Sequence, residues 1–387
     1  MMTTARALNV MVSAGEASGD AHAANALESL RSTRVAFTSF GMGADMLKGA
    51  GTELLVDCRD LAVIGIVDVL TNYPRFMHRL GLLRRAMRIR QPDVLLLVDY
   101  ADFNLKLAES AKKLGIPVLF YISPKVWAWR AGRVKRIGRL VTHMAVLFPF
   151  EVELYERAGV PVTYVGNPVV ADAVSPYTTA EARVYFDLDP QRPVLALLPG
   201  SRSGEIQRNL PAMLATAHII AREQPDCQFL IPIAPTLDPD LITATVGSAF
   251  PGTLKVVTGN SRHAMRAADA ALVASGTATL ETALIGTPLV VMYIVNRINY
   301  AIMKRLIRIP DISLVNIVAR KRIVPEYLQE EAQPGPMAAE LTLLMHDSER
   351  RRTMLAELAQ LKAAMGDANA SRRVAKLILE LSGSAET

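Results

Sequence analysis

The stretch Asp269–Tyr293, DAALVASGTATLETALIGTPLVVMY, decides the fold. It predicts a buried strand, a tight turn of small residues, a helix and a second buried strand. The turn, Ser275-Gly276-Thr277, opens the helix, so its backbone N–H groups and the positive end of the helix dipole point at the same place. Such a helix N-terminus favours a bound anion, for example a phosphate.

A second turn of this kind lies upstream, in Pro199-Gly-Ser-Arg-Ser-Gly204, between a predicted strand and a predicted helix. Gly200 permits close approach of a ligand, Ser201 and backbone N–H groups can bind a phosphate, and Arg202 adds a forked cation. The turn is not a Walker loop, because no Gly-Lys-Ser/Thr follows at the required spacing. We predict that both turns face one nucleotide diphosphate; the alternative is a strand–helix turn that binds nothing.

Strands and helices alternate along the chain, which predicts an α/β fold with two doubly wound parallel sheets. Buried strands are expected at 8–14, 34–40, 93–98, 194–198, 228–233 and 289–293, among others. At 387 residues the chain is too long for one ordinary domain. The polar, proline-punctuated stretch 169–193 predicts the link, and we divide the chain into domains 1–172 and 173–360 and a C-terminal helix, 361–387.

The composition limits the classes of function. A net charge of +6 favours an anionic partner, either nucleic acid, an anionic membrane surface or a phosphorylated substrate. The two cysteines are far apart and no Cys or His has metal-ligand spacing, so we expect a reduced, cytosolic protein without a metal site. No apolar run approaches the roughly 18 residues of a membrane helix, and the N-terminus predicts a buried strand instead of a signal peptide.

Residues 61–90 differ from the rest of the chain. They begin with a dense apolar patch that contains Val63, Ile64, Ile66, Val67 and Leu70. The following segment, RFMHRLGLLRRAMRIR (75–90), interleaves arginines with apolar side chains and has no acid. This basic amphipathic pattern indicates a helix that docks on an anionic lipid surface. A core helix with a solvated arginine face is the alternative.

Three carboxylates are candidates for chemistry or binding. Asp99 follows a buried strand, at the end of the sheet where open parallel sheets bind ligands, and partial burial would raise its pKa toward that of a general base. Glu16 ends the first strand in the same way. Glu281 lies about 9 Å along its helix from Ser275, where it can accept hydrogen bonds from ribose hydroxyls. The alternatives are a turn carboxylate for Asp99 and a helix-dipole partner for Glu281.

Six motifs coincide, in order, over nearly the whole chain. They are SAGEASGD (13–20), a strand ending in Asp99 followed by DFN (102–104), YISPKVWAWR (121–130), LPGSR (198–202), SGTATLET (275–282) and LQEE (328–331). Together they resemble the lipid-A-disaccharide synthase family. SGTATLET alone would indicate only the broader group of nucleotide-sugar transferases and epimerases. The resemblance implies the GT-B architecture, two Rossmann-like domains facing a cleft, in which the C-terminal helices are free to pack back on the first domain.

The resemblance also implies a reaction. A 2,3-diacylglucosamine unit would pass with inversion from UDP to the 6-hydroxyl of 2,3-diacylglucosamine 1-phosphate, giving UDP and the β-1,6 disaccharide 1-phosphate of lipid A biosynthesis. Asp99 would deprotonate the acceptor hydroxyl, and no metal or cofactor is expected. Because UDP-diacylglucosamine and the acceptor carry acyl chains, the implied protein is cytoplasmic and peripherally associated with the inner face of the cytoplasmic membrane. It does not bind nucleic acid, and a homodimer is left open.

The positions that match the family's motifs identify the binding residues that the resemblance implies. The acceptor side comprises Gly15, Glu16, Ser18 and Asn104. The UDP side comprises Gly200, Ser201, Arg202, Ser275, Gly276, Thr277, Ala278, Thr279, Glu281 and Asn316. Two positions depart from the family pattern: Val315 stands where proline is usual, and Asn167 stands where histidine is usual. Asn167 cannot take up a proton at neutral pH, so only a hydrogen-bonding role of that histidine would survive.

Three other functions fit part of this pattern. They are another UDP-sugar transferase of the same architecture, a UDP-N-acetylglucosamine 2-epimerase, and a nucleotide-binding membrane adaptor. The apolar and basic stretch 61–90 and the GEASGD turn argue against the first two. Asp99 at a strand end and the second Rossmann-like half argue against the adaptor.

Overall fold

The computed structural model of the chain describes residues 6–61, 66–127, 132–246, 250–296, 300, 310–367 and 369–384. The chain divides into two compact units. Unit 1 comprises Met1–Pro168 and Ala368–Thr387, and unit 2 comprises Val169–Asp367. Each unit is built on one parallel sheet, as the alternation of strands and helices predicts.

The sheet of unit 1 has seven strands among the described residues. They are β1 (Leu8–Ala14), β2 (Phe37–Gly43), β3 (Glu53–Asp57), β4 (Val94–Val98), β5 (Val118–Tyr121), β6 (His143–Val146) and β7 (Val162–Tyr164). Their order is β3-β2-β1-β4-β5-β6-β7, and every pair is parallel. The order in which successive strands are added to the sheet therefore reverses between β1 and β4, whose carboxyl ends form the topological switch point where such sheets bind ligands.

Helices cover both faces of this sheet. They are α1 (Ala17–Arg31), α2 (Asp45–Gly49), α3 (Ile66–Arg90), α4 (Ala101–Lys113), α5 (Arg133–Leu140) and α6 (Pro149–Glu156), with a 3₁₀ turn at Cys58–Leu61. Alternate residues of β4 belong to two different apolar layers, Leu95 and Leu97 to one and Leu96 and Val98 to the other. A strand buried on both faces needs no polar alternation, which explains the unbroken apolar run VLLLV (94–98).

The sheet of unit 2 has six strands among the described residues. They are β8 (Val194–Leu198), β9 (Gln228–Ile233), β10 (Thr253–Thr258), β11 (Ala270–Ala274), β12 (Leu289–Tyr293) and β13 (Glu326–Leu328). Their order is β10-β9-β8-β11-β12-β13, so the switch point of unit 2 lies between β8 and β11. The three-residue strand β13, which pairs with β12, falls in a segment for which the sequence predicts no strand.

Among the described residues, two helices of unit 2 precede β8, and the others come after its strands. They are α7 (Pro168–Asp172), α8 (Thr179–Tyr185), α9 (Ser203–Glu223), α10 (Pro239–Val246), α11 (Ser261–Ala267), α12 (Thr277–Ile285), α13 (Leu314–Ala319), α14 (Pro334–Met345) and α15 (Glu349–Met365), with a 3₁₀ turn at Gln329–Glu331. Capping side chains fix several of these starts: the Thr178 hydroxyl accepts from the N–H of Glu181, and the Ser348 hydroxyl accepts from that of Arg351. Among the described residues, no helix is long and apolar enough to cross a bilayer.

The final helix, α16 (Ala370–Leu381), belongs to unit 1. Its Val374 and Ile378 are fully buried in the apolar layer that contains Val10 of β1, and the guanidinium of Arg373 donates to the carbonyl of Val165 at 3.2 Å. The C-terminal helix thus packs back on the first Rossmann-like unit. The predicted division at 360/361 cuts through α15, which is one continuous helix, and the structure divides the chain after Asp367 instead.

Candidate active site

The switch point of unit 1 brings Glu16 and Asp99 together. Each follows one of two adjacent strands, which are in register at Ala14 and Val98. Asp99 is half-buried, and this burial raises the pKa of its carboxyl group, as does the negative charge of nearby Glu16. The N–H of Tyr100 and the charge of Lys125 lower that pKa in part. A carboxylate with a raised pKa, at the end of the sheet that binds ligands, is suited to act as a general base.

The turn that carries Asp99 has an unusual backbone. Asp99 and Tyr100 are consecutive and both lie in the left-handed region, with φ of 47° and 44°. Such a conformation costs a non-glycine residue on the order of 1–3 kcal/mol, so the surroundings must hold it in place. Strain of this kind clusters at sites where a side chain has to be aimed.

Asn104 holds this turn. Its side chain is fully buried, and its Nδ2 donates to the carbonyls of Asp99 and Val98 at 2.7 and 3.2 Å. Its Oδ1 accepts a hydrogen bond from the hydroxyl of Ser13 at 2.7 Å. These contacts use both donors and the acceptor of the amide within unit 1. They indicate a residue that positions Asp99, and the predicted acceptor-side role of Asn104 stays a prediction.

Gly15 lies under the ring of Tyr100. A Cβ atom on Gly15 would be 2.2 Å from Cγ and Cδ1 of Tyr100 and 2.7 Å from its Cβ. Only a glycine leaves room for this ring, so packing against the Asp99–Tyr100 turn accounts for the residue. Gly15 is itself buried, whereas Glu16 and Ser18 are exposed at the N-terminus of α1. The predicted acceptor contacts of Glu16 and Ser18 therefore remain accessible to a ligand.

The two predicted anion-binding turns meet at the switch point of unit 2. Gly200, Ser201 and Arg202 follow β8, and Ser275 and Gly276 follow β11. These strands are adjacent and parallel, with Leu198 paired to Val273, so both turns leave the same end of the sheet. In each turn a helix of eight or more residues begins directly afterwards.

Within the second turn, hydroxyl groups stabilise the loop itself. The Ser275 hydroxyl donates to the carbonyl of Ile312 at 3.0 Å, and the buried Thr279 hydroxyl donates to the carbonyl of Gly276 at 2.8 Å. Gly276 and Thr277 are exposed, and Ala278 is half-buried. The backbone at the start of α12 is therefore the part of this turn that is available to an anion.

The first turn is closed by two residues of α9 that the sequence did not single out. The carboxylate of Glu205 accepts from the N–H of Ser201 at 3.1 Å and from the guanidinium of Arg202 at 2.9 Å. The buried amide of Asn209 donates to the carbonyl of Pro199 and accepts from the N–H of Ile294. Glu205 stands in the first turn of a helix that follows a strand end, which is the signal that would have identified it.

Glu281 is held by Arg262, another residue that sequence reasoning missed. Nε and Nη2 of Arg262 both contact Oε1 of Glu281 at 3.2 Å, and Nη2 also pairs with Asp172 at 3.4 Å. Arg262 is in the first turn of α11, after β10, so it too lies at the carboxyl end of the sheet. The described contacts of Glu281 thus involve one of its two carboxylate oxygens, Oε1.

The side chain of Asn316 holds the segment after its own helix, and the predicted contact of Asn316 with UDP stays a prediction. It is fully buried, and its Oδ1 accepts from the N–H groups of Ile323 and Val324 at 2.8 and 3.0 Å. Its Nδ2 donates to the carbonyl of Val324 and to Oε1 of Glu326 at 2.9 and 2.8 Å. These four bonds use the two donors and the two acceptor lone pairs of the side-chain amide within unit 2.

Two further predictions concern residues outside these turns. Val63 and Ile64 lie outside the described residues, as do the side chains of Ile66, Val67 and Leu70, although the backbone of α3 begins at Ile66. Asn167 is buried, three residues after the end of β7.

Comparison with known proteins decides the family. A family model described as lipid-A-disaccharide synthetase matches residues 10–379. The lipid-A-disaccharide synthase of Myxococcus xanthus (strain DK1622) is 44% identical over 375 residues, which cover 96% of this chain and 97% of that protein. This chain belongs to the lipid-A-disaccharide synthetase family. The resemblance that the six motifs indicated is thereby confirmed.

Solved structures share the fold of this lipid-A-disaccharide synthetase family member at low identity. The UDP-GlcNAc 2-epimerase of Neisseria meningitidis, in a structure bound to UDP-GlcNAc, gives a TM-score of 0.61 at 15% identity, over 97% of this chain and 99% of that one. The calicheamicin glycosyltransferase CalG4 gives 0.62 at 14% identity, over 99% and 100%. These likenesses concern the fold alone, and they confirm the pair of Rossmann-like domains of GT-B type.

Proposed function

We propose that the protein joins UDP-2,3-diacylglucosamine to 2,3-diacylglucosamine 1-phosphate, releasing UDP and forming the β-1,6 disaccharide 1-phosphate of lipid A. The observation that carries the proposal is Asp99, a half-buried carboxylate with a raised pKa, held in a strained turn at the switch point of unit 1. In a member of the lipid-A-disaccharide synthetase family, a base at this position matches the need to deprotonate an acceptor hydroxyl.

On the acceptor side, Asp99 removes the proton of the 6-hydroxyl. Glu16 contributes by its negative charge, which raises the pKa of Asp99, and Asn104 contributes by fixing the carbonyl of Asp99. The acceptor oxygen then forms a bond to the anomeric carbon of the donor sugar. The bond from that carbon to the UDP oxygen breaks on the opposite face, so the configuration inverts.

On the donor side, unit 2 stabilises the leaving diphosphate. Its charge grows in the transition state, and the exposed backbone at Gly276 and Thr277 together with the guanidinium of Arg202 supplies fixed positive partners. One such donor is worth about 10²–10³ in rate. We propose that these groups suffice without a metal, and that the second carboxylate oxygen of Glu281 accepts from the ribose.

The test is an assay with both purified substrates, run with EDTA in the buffer. We expect the disaccharide phosphate and UDP to appear in equal amounts, because the proposed chemistry takes its positive charge from the protein. UDP-N-acetylglucosamine serves as the control donor. Failure to form the disaccharide would contradict the proposal, and conversion of the control donor to its 2-epimer would favour the epimerase.

We further propose that α3 associates with an anionic membrane surface on the cytoplasmic side. In its described part, the exposed side chains include Tyr73, Met77, Leu82 and Ile89 together with Arg75, Arg85 and Arg88. Leu80, Leu83 and Met87 of the same helix are fully buried, so α3 packs on the core along one side and presents the exposed side chains to solvent. Apolar groups mixed with arginines suit the boundary between acyl chains and anionic headgroups, where each arginine contributes about 1 kcal/mol.

Replacing Met77 and Ile89 by serine should weaken this association about tenfold, because it removes apolar contact worth ~1.4 kcal/mol. The measurement is co-sedimentation with phosphatidylglycerol vesicles. The matched control replaces Val184 and Leu343, two exposed apolar residues of unit 2. Equal sedimentation of both double variants and the wild type would rule out α3 as the docking surface.

A further inference from the structure

The carboxylate of Glu205 occupies the turn where the proposed diphosphate would bind. It accepts the N–H of Ser201 at 3.1 Å through Oε2 and a guanidinium hydrogen of Arg202 at 2.9 Å through Oε1. These are the two kinds of donor, a loop N–H and an arginine, that a phosphate oxygen would use. Ser201 and Arg202 supply these donors, and Gly200 precedes them in the turn. We call these three residues the anion seat.

The seat is shaped around this side chain. Gly200 has φ of 123°, and a Cβ atom there would lie 2.7 Å from Oε2 and 2.8 Å from Cβ of Glu205. The Glu205 side chain is 15% exposed, whereas that of Arg202 is 80% exposed. The acid therefore lies against the inside of the turn, and the cation is at its solvent side.

A second arginine, Arg208, lies close to the seat. The guanidinium of Arg208 lies over Gly204, where a Cβ atom would be 3.4 Å from Nη1 and Nη2. Burial and the negative charge of Glu205 raise the pKa of the Tyr293 hydroxyl, and the positive charges of Arg208 and Arg202 lower it. Two arginines around one carboxylate leave a net positive seat once that carboxylate has moved away.

We propose that Glu205 is an internal competitor of the nucleotide: its carboxylate fills the anion seat in the free protein and leaves when the diphosphate binds. It thereby lowers the affinity for UDP and hastens release of this product. The inference rests on the proposed function, because the ligand is the diphosphate of the UDP-sugar. A purely structural role is the competing explanation, since a glutamate at the third position of a helix often bonds back to an N–H before it.

Glu205→Gln separates the two explanations, because glutamine can still accept that backbone hydrogen bond but carries no charge. We expect UDP to bind this variant about tenfold more tightly in calorimetry and uridine, which has no phosphate, to bind with unchanged affinity. Glu205→Ala should shift the affinity for UDP in the same direction. The matched control is Glu181→Gln, which alters a capping glutamate at the start of α8.

The outcomes are distinct. Tighter UDP binding by both Glu205 variants, with no change for Glu181→Gln, supports the competitor. Unchanged or weaker UDP binding by either variant, alongside wild-type protein that binds UDP, overturns it and leaves the proposed function standing. Wild-type protein that does not bind UDP at all overturns the proposed function and this inference with it.

Discussion

Asp99→Asn is expected to lower kcat by about 10²–10⁴, the usual contribution of a general base. Asparagine has nearly the same shape and can still accept the hydrogen bond from the N–H of Tyr100, but it cannot take a proton from the acceptor hydroxyl. Affinity for UDP should not change, because the predicted donor turns belong to unit 2. Initial rates and UDP calorimetry on the same preparations measure both quantities.

The pH profile supplies the control for this variant. A base acts only when deprotonated, so kcat/KM of the wild type should fall as the pH drops through the raised pKa of Asp99. The residual activity of Asp99→Asn should lack that acid limb. A variant with near wild-type turnover, or with the same acid limb, would show that another group is the base.

Gly15→Ala is expected to lower kcat about 10²-fold, because a displacement of about 1 Å at a reacting group can cost this much. The added methyl would overlap Cγ, Cδ1 and Cβ of Tyr100, so the ring and the turn that carries Asp99 must move. The atoms concerned lie close to the backbone, and rotation of the far end of the ring cannot relieve the overlap.

Gly19→Ala is the matched control, four residues along the same motif. A Cβ atom there would meet its nearest neighbour, Cγ1 of Val98, at 3.6 Å, which is ordinary contact. We expect Gly19→Ala to retain most of the activity and both variants to bind UDP as the wild type does. If the two substitutions lowered kcat equally, the packing of Tyr100 on Gly15 would not be the reason for this glycine.

The strands that matched their predictions are those buried on both faces. β1, β8, β9 and β12 have the predicted bounds, because continuous apolar runs between turn residues leave little choice of register. The prediction for β2, 34–40, is displaced from the observed Phe37–Gly43. That strand contains Thr38, Ser39 and two glycines, so its hydrophobic pattern is weak and its neighbours decide where it begins.

The sequence predicts the position of those site residues that the strand order of the two sheets fixes. Asp99 and the two turns of unit 2 follow buried parallel strands, and that sequence pattern places them at strand ends. Their partners were not predictable. Arg262, which donates to Glu281, belongs to a different helix. The side-chain amide of Asn316 donates to Val324 and Glu326, which lie beyond the helix of Asn316. Such contacts depend on how distant segments fold together, for which a single sequence contains no local signal.

The placement of α16 has a consequence for biosynthesis. Unit 1 is interrupted after Pro168 and is completed only by a helix that begins at Ala370, roughly 200 residues later. At about 5–20 residues per second, the ribosome needs ~10–40 s to reach that helix. Throughout this interval the nascent first half exposes the apolar surface around Val10 and Leu27 that the helix will cover. The first half therefore cannot finish folding until the second half has been synthesised, and this order makes the unfinished half a natural client for chaperones.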